Sequence, residues 1–297
     1  MNDAELLADI AQNFPSLVVE SWRPLGEGWM SRALLVNESY VFRFAKHAEA
    51  AADLAKEVAL LPSIGARVSL PVPRFELVGT QRSGLGLVGY RQLEGEPLEA
   101  DVFAKLSSEQ QTRVVMQLAT FMNELHGMPC ELAERAGLTV TDHRSEYTQD
   151  WQALRDYAAK LPAAVARYSE RRFLEFLAEP SYFDNPPRLI HADLSPEHLL
   201  LDRARGKLVG IIDFGDVSLG DPDYEYLYLL EDLGVPFTTR VMIERAEPDI
   251  AGLLRKVGYY VTFDHVHSIL GGLQHGVSQW VDEGVAALAA EAQSQLP

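Results

Sequence analysis

The apolar positions along the chain change period partway through it. Leu17 to Trp22, Arg32 to Val36 and Tyr40 to Phe44 are short runs rich in alternating, β-branched and aromatic residues, and they predict three strands. Asn37-Glu38-Ser39 turns the chain between the last two. Leu54, Val58 and Leu61 then recur at helical spacing and predict a helix over 49–61. Pro62, Pro71 and Pro73 break the chain before two further strands, about Arg74 to Gly79 and Gly86 to Leu93. Past Glu94-Gly95-Glu96-Pro97 the pattern turns helical. Thr112 to His126 carries Val115, Leu118, Ala119, Met122 and Leu125 on one stripe. Two strand-like runs, Arg188 to Ile190 and Leu208 to Ile212, interrupt this region, and helical patterns resume from Tyr224. The expectation is an α+β fold in two lobes: a five-stranded sheet with one main helix over 1–93, and a larger, mostly helical lobe over 94–297. The cleft between such lobes is where a ligand is expected.

Charge narrows the partners. Against 26 Lys and Arg stand 43 Asp and Glu, a formal net charge of −17. Phosphate backbones and anionic lipids attract basic surfaces, so nucleic acid and membrane partners are not expected; the excess suits a cationic ligand, and suits solubility alone about as well. A single cysteine, Cys130, cannot close an intramolecular disulfide. The opening MNDAELLADIAQNF lacks the basic and apolar regions of a signal peptide, and no apolar run is long enough to span a bilayer. A cytoplasmic monomer is expected.

The candidate chemistry sits in two segments. Leu189-Ile190-His191-Ala192-Asp193 runs on through Leu194-Ser195-Pro196-Glu197-His198, and 20 residues after Asp193 comes Ile211-Ile212-Asp213-Phe214-Gly215-Asp216. Each is an apolar strand that delivers an acid at its end. A lone H-x-D or D-F-G recurs by chance; their joint order, spacing and strand context do not. Asp193 is a base candidate, and His198 and Asp213 are metal-ligand candidates, the set that phosphoryl transfer needs. Upstream, Leu25-Gly26-Glu27-Gly28-Trp29-Met30-Ser31 lies between two expected strands, where Gly26 and Gly28 let backbone N–H groups approach phosphates and Ser31 adds a hydroxyl.

These segments resemble the aminoglycoside phosphotransferases, which share the protein-kinase fold. Tyr40-Val41-Phe42-Arg43-Phe44-Ala45-Lys46-His47, Glu57-Val58, Leu70-Pro71-Val72-Pro73, the Asp213 segment, Asp221-Pro222-Asp223 and Gln279-Trp280-Val281-Asp282-Glu283-Gly284 are similar to the 2″-phosphotransferase branch. The resemblance implies Mg²⁺-dependent transfer of the γ-phosphoryl group of GTP or ATP to an aminoglycoside hydroxyl, the 2″ position, giving antibiotic resistance. It implies that Arg43 and Glu57 take the place of the family's Lys–Glu pair, with a planar fork where the family has a point charge. It also implies that backbone groups near Arg91, Gln92 and Leu93 hydrogen-bond the purine. His at 198, where many relatives have Asn, points to the 2″ and macrolide branches. For a polycationic acceptor the expected carboxylates are Asp193, Glu231, Asp232, Asp282 and Glu283, with Trp280 offering a ring face. His191 is expected to support the loop, and Asp216 and Asp221 to cap turns. Lys46 is a second candidate for the phosphates.

Alternatives come from the same fold and from outside catalysis. A macrolide 2′-phosphotransferase would want an apolar trough, which helices from Phe263 to Trp280 offer. A metabolic small-molecule kinase would phosphorylate a metabolite without raising drug tolerance. A kinase-fold binding module without turnover would show no nucleotide consumption; the intact Asp193 and Asp213 argue against it.

Overall fold

The computed structural model describes residues 2–294. Among these residues two compact units form, one from 2–139 with 197–217, the other from 140–196 with 218–294. The first half carries α1 (Asp3–Asn13), β1 (Trp22–Glu27), β2 (Ser31–Val36), β3 (Tyr40–Ala45), α2 (Ala48–Gly65), β4 (Phe75–Thr80), β5 (Gly86–Arg91), β6 (Glu96–Pro97), α3 (Ala100–Lys105), α4 (Ser108–His126) and α5 (Cys130–Arg135). The second half carries α6 (His143–Tyr157), α7 (Ala163–Leu177), β7 (Arg188–Ile190), β8 (Leu199–Asp202), β9 (Lys207–Ile211), β10 (Ser218–Gly220), α8 (Leu227–Glu244), α9 (Ile250–His275) and α10 (Ser278–Ser294). No described helix is long and apolar enough to cross a membrane.

In the first unit, five antiparallel strands pair in the order β1-β2-β3-β5-β4. The period of two along β3 sets the faces. Phe42 and Phe44 point to one side, where Leu34, Val36 and Leu87 meet Leu6 and Ile10 of α1. Ala45 points to the other, where Val88 packs with Ala50 and Leu54 of α2. Arg43 shares the Ala45 side, so strand alternation alone turns its guanidinium toward α2. Gly89 is required by packing: a Cβ there would come within 2.6 Å of the Phe42 ring. Further along, β6, β8 and β9 form a three-stranded sheet, clipped to α4 by Gln117, whose amide donates to Leu208 O (3.0 Å) and accepts from Leu208 N–H (2.9 Å).

Two expectations shift. Leu17 to Ser21 is not a strand, and β1 begins at Trp22. Leu17 and Val19 do pack against the core, but the Asn37 side chain satisfies this backbone, accepting from Glu20 and Ser21 N–H and donating to Val18 O. Pro62 does not end its helix, since α2 runs on to Gly65 with Pro62 in its last turns.

The second unit is built on aromatic rings. Phe173 stacks on Phe263 with centroids 4.2 Å apart, Tyr147 lies 4.8 Å from Phe263, and Phe176 meets Tyr147 edge-on at 5.3 Å. Such contacts join α6, α7 and α9, each about 0.5–1.5 kcal/mol beyond burial. The antiparallel pair β7–β10 lies in this unit, and β7 delivers His191 and Asp193.

Candidate active site

A cavity of about 690 Å³ opens in the first unit. The β1–β2 loop from Gly26 to Ser31 forms one wall, and Val41, Leu54, Tyr90, Leu93, Leu200 and Ile212 supply apolar surface. Gly28 N–H donates to Ser31 O (2.9 Å), closing the loop's turn. A Cβ at Gly26 or Gly28 would meet no protein atom within 4 Å, so no neighbour in the chain demands glycine at either position. Lys46 serves the loop: its Nζ donates to Gly28 O (2.9 Å) and pairs with Glu27 (3.0 Å), which lowers the Glu27 carboxyl below its usual range. Arg91 turns away from the cavity, with its guanidinium 4.2 Å from the Tyr40 ring centre.

The polar end of the cavity is a chain of charges. Arg43 Nη1 donates to Glu57 Oε2 at 2.8 Å, and Arg43 Nη2 lies 3.2 Å from Asp213 Oδ1. His198 Nε2 lies 3.8 Å from Asp213 Oδ2 and 3.8 Å from Glu197 Oε1. Glu57 is 2% exposed, and burial pushes its carboxyl up to about 7 against the pull of Arg43. Burial also opposes the charge on Arg43, but Glu57 and Asp213 outweigh it and hold the guanidinium protonated. Tyr90 is pushed up to about 12 by burial. Asp213 adopts φ 62°, a left-handed backbone that non-glycine residues take at a cost.

In the second unit, the turn after β7 is held from behind. Ala192 adopts φ 67°, Asp193 N–H donates to His191 Nδ1 (3.2 Å), and Ala192 N–H donates to Glu225 Oε1 (2.9 Å). Glu225 is 2% exposed, and burial lifts its carboxyl to about 7 although the Ala192 and His191 amides and Arg245 favour its charged form. Asp221 accepts from Asp223 N–H (3.0 Å), capping the turn over Pro222–Tyr226, and pairs with buried Lys256 at 2.5 Å. Glu231 and Asp232 lie on α8; Glu231 Oε1 is 3.6 Å from His265 Nδ1. Trp280 and Glu283 lie on α10, where Glu283 accepts from Gln279 (2.8 Å).

Arg43, Glu57, His198 and Asp213 are thus brought together around the cavity that Gly26, Gly28, Ser31 and Leu93 also line. Glu197, Tyr90, Glu225 and His265 were not anticipated. Glu197 stands directly before His198, where its neighbourhood offered a signal; the partners of the other three are distant in sequence.

The sequence model of the phosphotransferase enzyme family (APH) matches residues 21–254. The chain belongs to that family. Among solved structures, the phosphotransferase is similar to the GDP and kanamycin complex of APH(2″)-IIIa, at 40% identity, a TM-score of 0.93 and 98% coverage of both chains. It is similar to the GDP complex of wild-type aminoglycoside 2′-phosphotransferase-IIIa at 38% identity and a TM-score of 0.95, covering 100% of each. A macrolide 2′-phosphotransferase type I shares the fold, with 21% identity, a TM-score of 0.77 and coverage of 97% and 98%. Uncharacterized protein YcbJ of Bacillus subtilis (strain 168) is 24% identical over 168 residues, 52% of this chain. The phosphotransferase spans about half the length of that curated relative, 52%. The family implies a divalent cation, and the donors fit one: the carboxylates of Asp213 and Glu197 flank His198, and carboxylate oxygens are what Mg²⁺ prefers.

Proposed function

We propose that this phosphotransferase moves the γ-phosphoryl group of a nucleoside triphosphate, GTP before ATP, to the 2″ hydroxyl of an aminoglycoside. The observation that carries the reading is the full-length likeness, at 40% identity, to a structure that holds GDP and kanamycin. In this reading residues 1–93 form the nucleotide-binding lobe, residues 94–297 carry the catalytic loop and acceptor pocket, and the enzyme works as a monomer in the cytoplasm.

The glycine loop covers the phosphates, with Gly26 and Gly28 leaving the backbone open and Ser31 adding a hydroxyl. The purine lies against Tyr90 and Leu93, read by backbone groups of 91–93. Arg43, held by Glu57, grips the phosphates. Asp213, His198 and Glu197 would hold Mg²⁺, and the chemistry it would supply there is neutralisation of negative charge on the phosphate oxygens. Asp193 orients the acceptor hydroxyl and takes its proton as oxygen bonds to the γ-phosphorus and the bond to the leaving diphosphate breaks. Glu231, Asp232 and Glu283, with Trp280, receive the ammonium groups. Resistance follows because a phosphate on the drug alters its charge and shape.

Mass spectrometry of aminoglycosides, macrolides and small metabolites, incubated with the enzyme, Mg²⁺ and GTP or ATP, tests the reading. A gain of one phosphate on aminoglycosides is expected. Phosphate appearing on macrolides or metabolites alone overturns it.

A further inference from the structure

The acidic cluster on α8, α9 and α10 holds one basic side chain that the proposed reaction does not use. His265 lies between carboxylates from different helices, with Nδ1 3.6 Å from Glu231 Oε1 and Nε2 3.1 Å from Glu291 Oε1. Ligating atoms of Glu231, Asp264 and His265 all fall within 4.8 Å of one another. Glu291 is 8% exposed; its Oε2 accepts from Tyr168 and Thr262 hydroxyls at 2.8 Å each, while its Oε1 makes no hydrogen bond of good geometry and faces the imidazole. The Tyr228 hydroxyl donates to Asp264 Oδ1 (3.1 Å), and the charge of Asp193 acts on the same phenol. The charges of Asp264 and of the residue proposed as base thus both act on one phenol.

The protonation of this cluster points one way. Burial opposes a charge on His265, yet Glu291, Glu231 and Asp264 raise the ring above its ordinary range. Burial, Asp264, Asp232 and Glu291 also push the Glu231 carboxyl up to about 7, against the pull of His265. An acid and a base that both keep their protons unusually long report a surplus of carboxylates, filled by protons.

We propose that the His265 imidazolium stands in for an acceptor ammonium group: acceptor and ring proton compete for Glu231, Asp264 and Glu291, and acceptor binding expels the proton to solvent. The inference rests on the aminoglycoside reading and deepens it. A cluster with this surplus suits an acceptor bearing several ammonium groups over a large apolar ring with one amine. It also sets the sign of a pH effect. Below the midpoint of His265 the ring offsets the carboxylates and the acceptor binds weakly; above it the cluster becomes more negative and binding tightens.

The test follows the His265 ring by NMR in ¹³C-histidine-labelled full-length enzyme, its signal assigned through bonds, with and without saturating kanamycin. Its titration midpoint is expected to fall by about one unit or more when kanamycin is bound. In parallel, kanamycin Kd is measured across neutral pH for wild type and His265→Gln. Because the drug's own amines titrate equally with both proteins, their difference reports residue 265 together with the Glu231 carboxyl it acts on, and the wild type is expected to gain about tenfold more affinity with rising pH. Kanamycin binding with an unmoved or raised midpoint, or equal pH dependence in the two proteins, overturns the inference alone. No kanamycin binding at any pH overturns the aminoglycoside reading, and this inference with it. The wild-type NMR measurement stands even if His265→Gln fails to fold.

Discussion

Arg43 and Asp213 are joined directly: guanidinium nitrogen Nη2 lies 3.2 Å from carboxylate oxygen Oδ1, while Nη1 holds Glu57 at 2.8 Å. One planar fork thus spans a buried acid on α2 and an acid proposed to bind metal. A lysine ammonium is a single point charge and does not present two parallel arms to both. Arg43→Lys should therefore fold but lose about tenfold in kcat/KM for the nucleotide, about the worth of one charged hydrogen bond. Arg43→Met leaves Glu57 buried without its cation and should cost about 3–5 kcal/mol of stability. Steady-state kinetics and denaturant titration check both, and a lysine variant of wild-type efficiency refutes the spanning role.

Asp193→Asn keeps size and hydrogen bonding but cannot take a proton. Turnover should fall by on the order of 10²–10⁴-fold with the melting temperature unchanged. Near-normal transfer by this variant would remove Asp193 from the chemistry.

Glu225 ties pH to both rate and stability. Its carboxylate accepts from the Ala192 amide beside Asp193, and burial sets its titration near 7. Turnover should rise as pH climbs through that value, because the ionised form grips the amides harder. Stability moves oppositely: a carboxyl raised above its unfolded value stabilises the fold while protonated, and that contribution is lost as pH rises through about 7. Glu225→Gln should flatten this limb of the kcat profile and melt closer to, or above, wild type at alkaline pH. An unchanged profile in the Gln variant would count against the role.

Lys46 ties down the glycine loop through Gly28 O and Glu27. Lys46→Met should raise the nucleotide KM about threefold to tenfold, in line with one hydrogen bond of about 1 kcal/mol, with kcat little altered. A loss in kcat alone would argue for direct phosphate contact instead.

Phe42 anchors the sheet face that meets α1 and is fully buried. Phe42→Ala should cost about 3–5 kcal/mol, read from chemical denaturation.

Strands β2, β3 and β5 are legible as short apolar and aromatic runs between turn residues; consecutive positions in them are buried, and among the three strands β3, β4 and β5 the clean period of two is seen in β4. Leu17 to Ser21 misleads because Leu17 and Val19 are half-buried on alternate positions like strand residues, while Asn37, distant in sequence, takes the hydrogen bonds a partner strand would have made. Pro62 misled because a proline late in a helix loses one donor yet leaves the chain's course intact. At the cavity, Arg43 and Glu57 are legible through the family resemblance, which matches them to a cation on the third strand and an acid on the helix that follows. Glu225 and His265 do not, because what matters about each is a contact with a backbone amide or a helix far along the chain, which spacing does not encode.

Ala192 and Asp213 both hold left-handed backbone without being glycine. A shape of this sort costs about 1–3 kcal/mol, and a glycine would relieve most of it. Breeding this protein for heat tolerance alone would thus drift toward glycine at 192, and the hardier descendants would present Asp193 on a looser hinge and work more slowly.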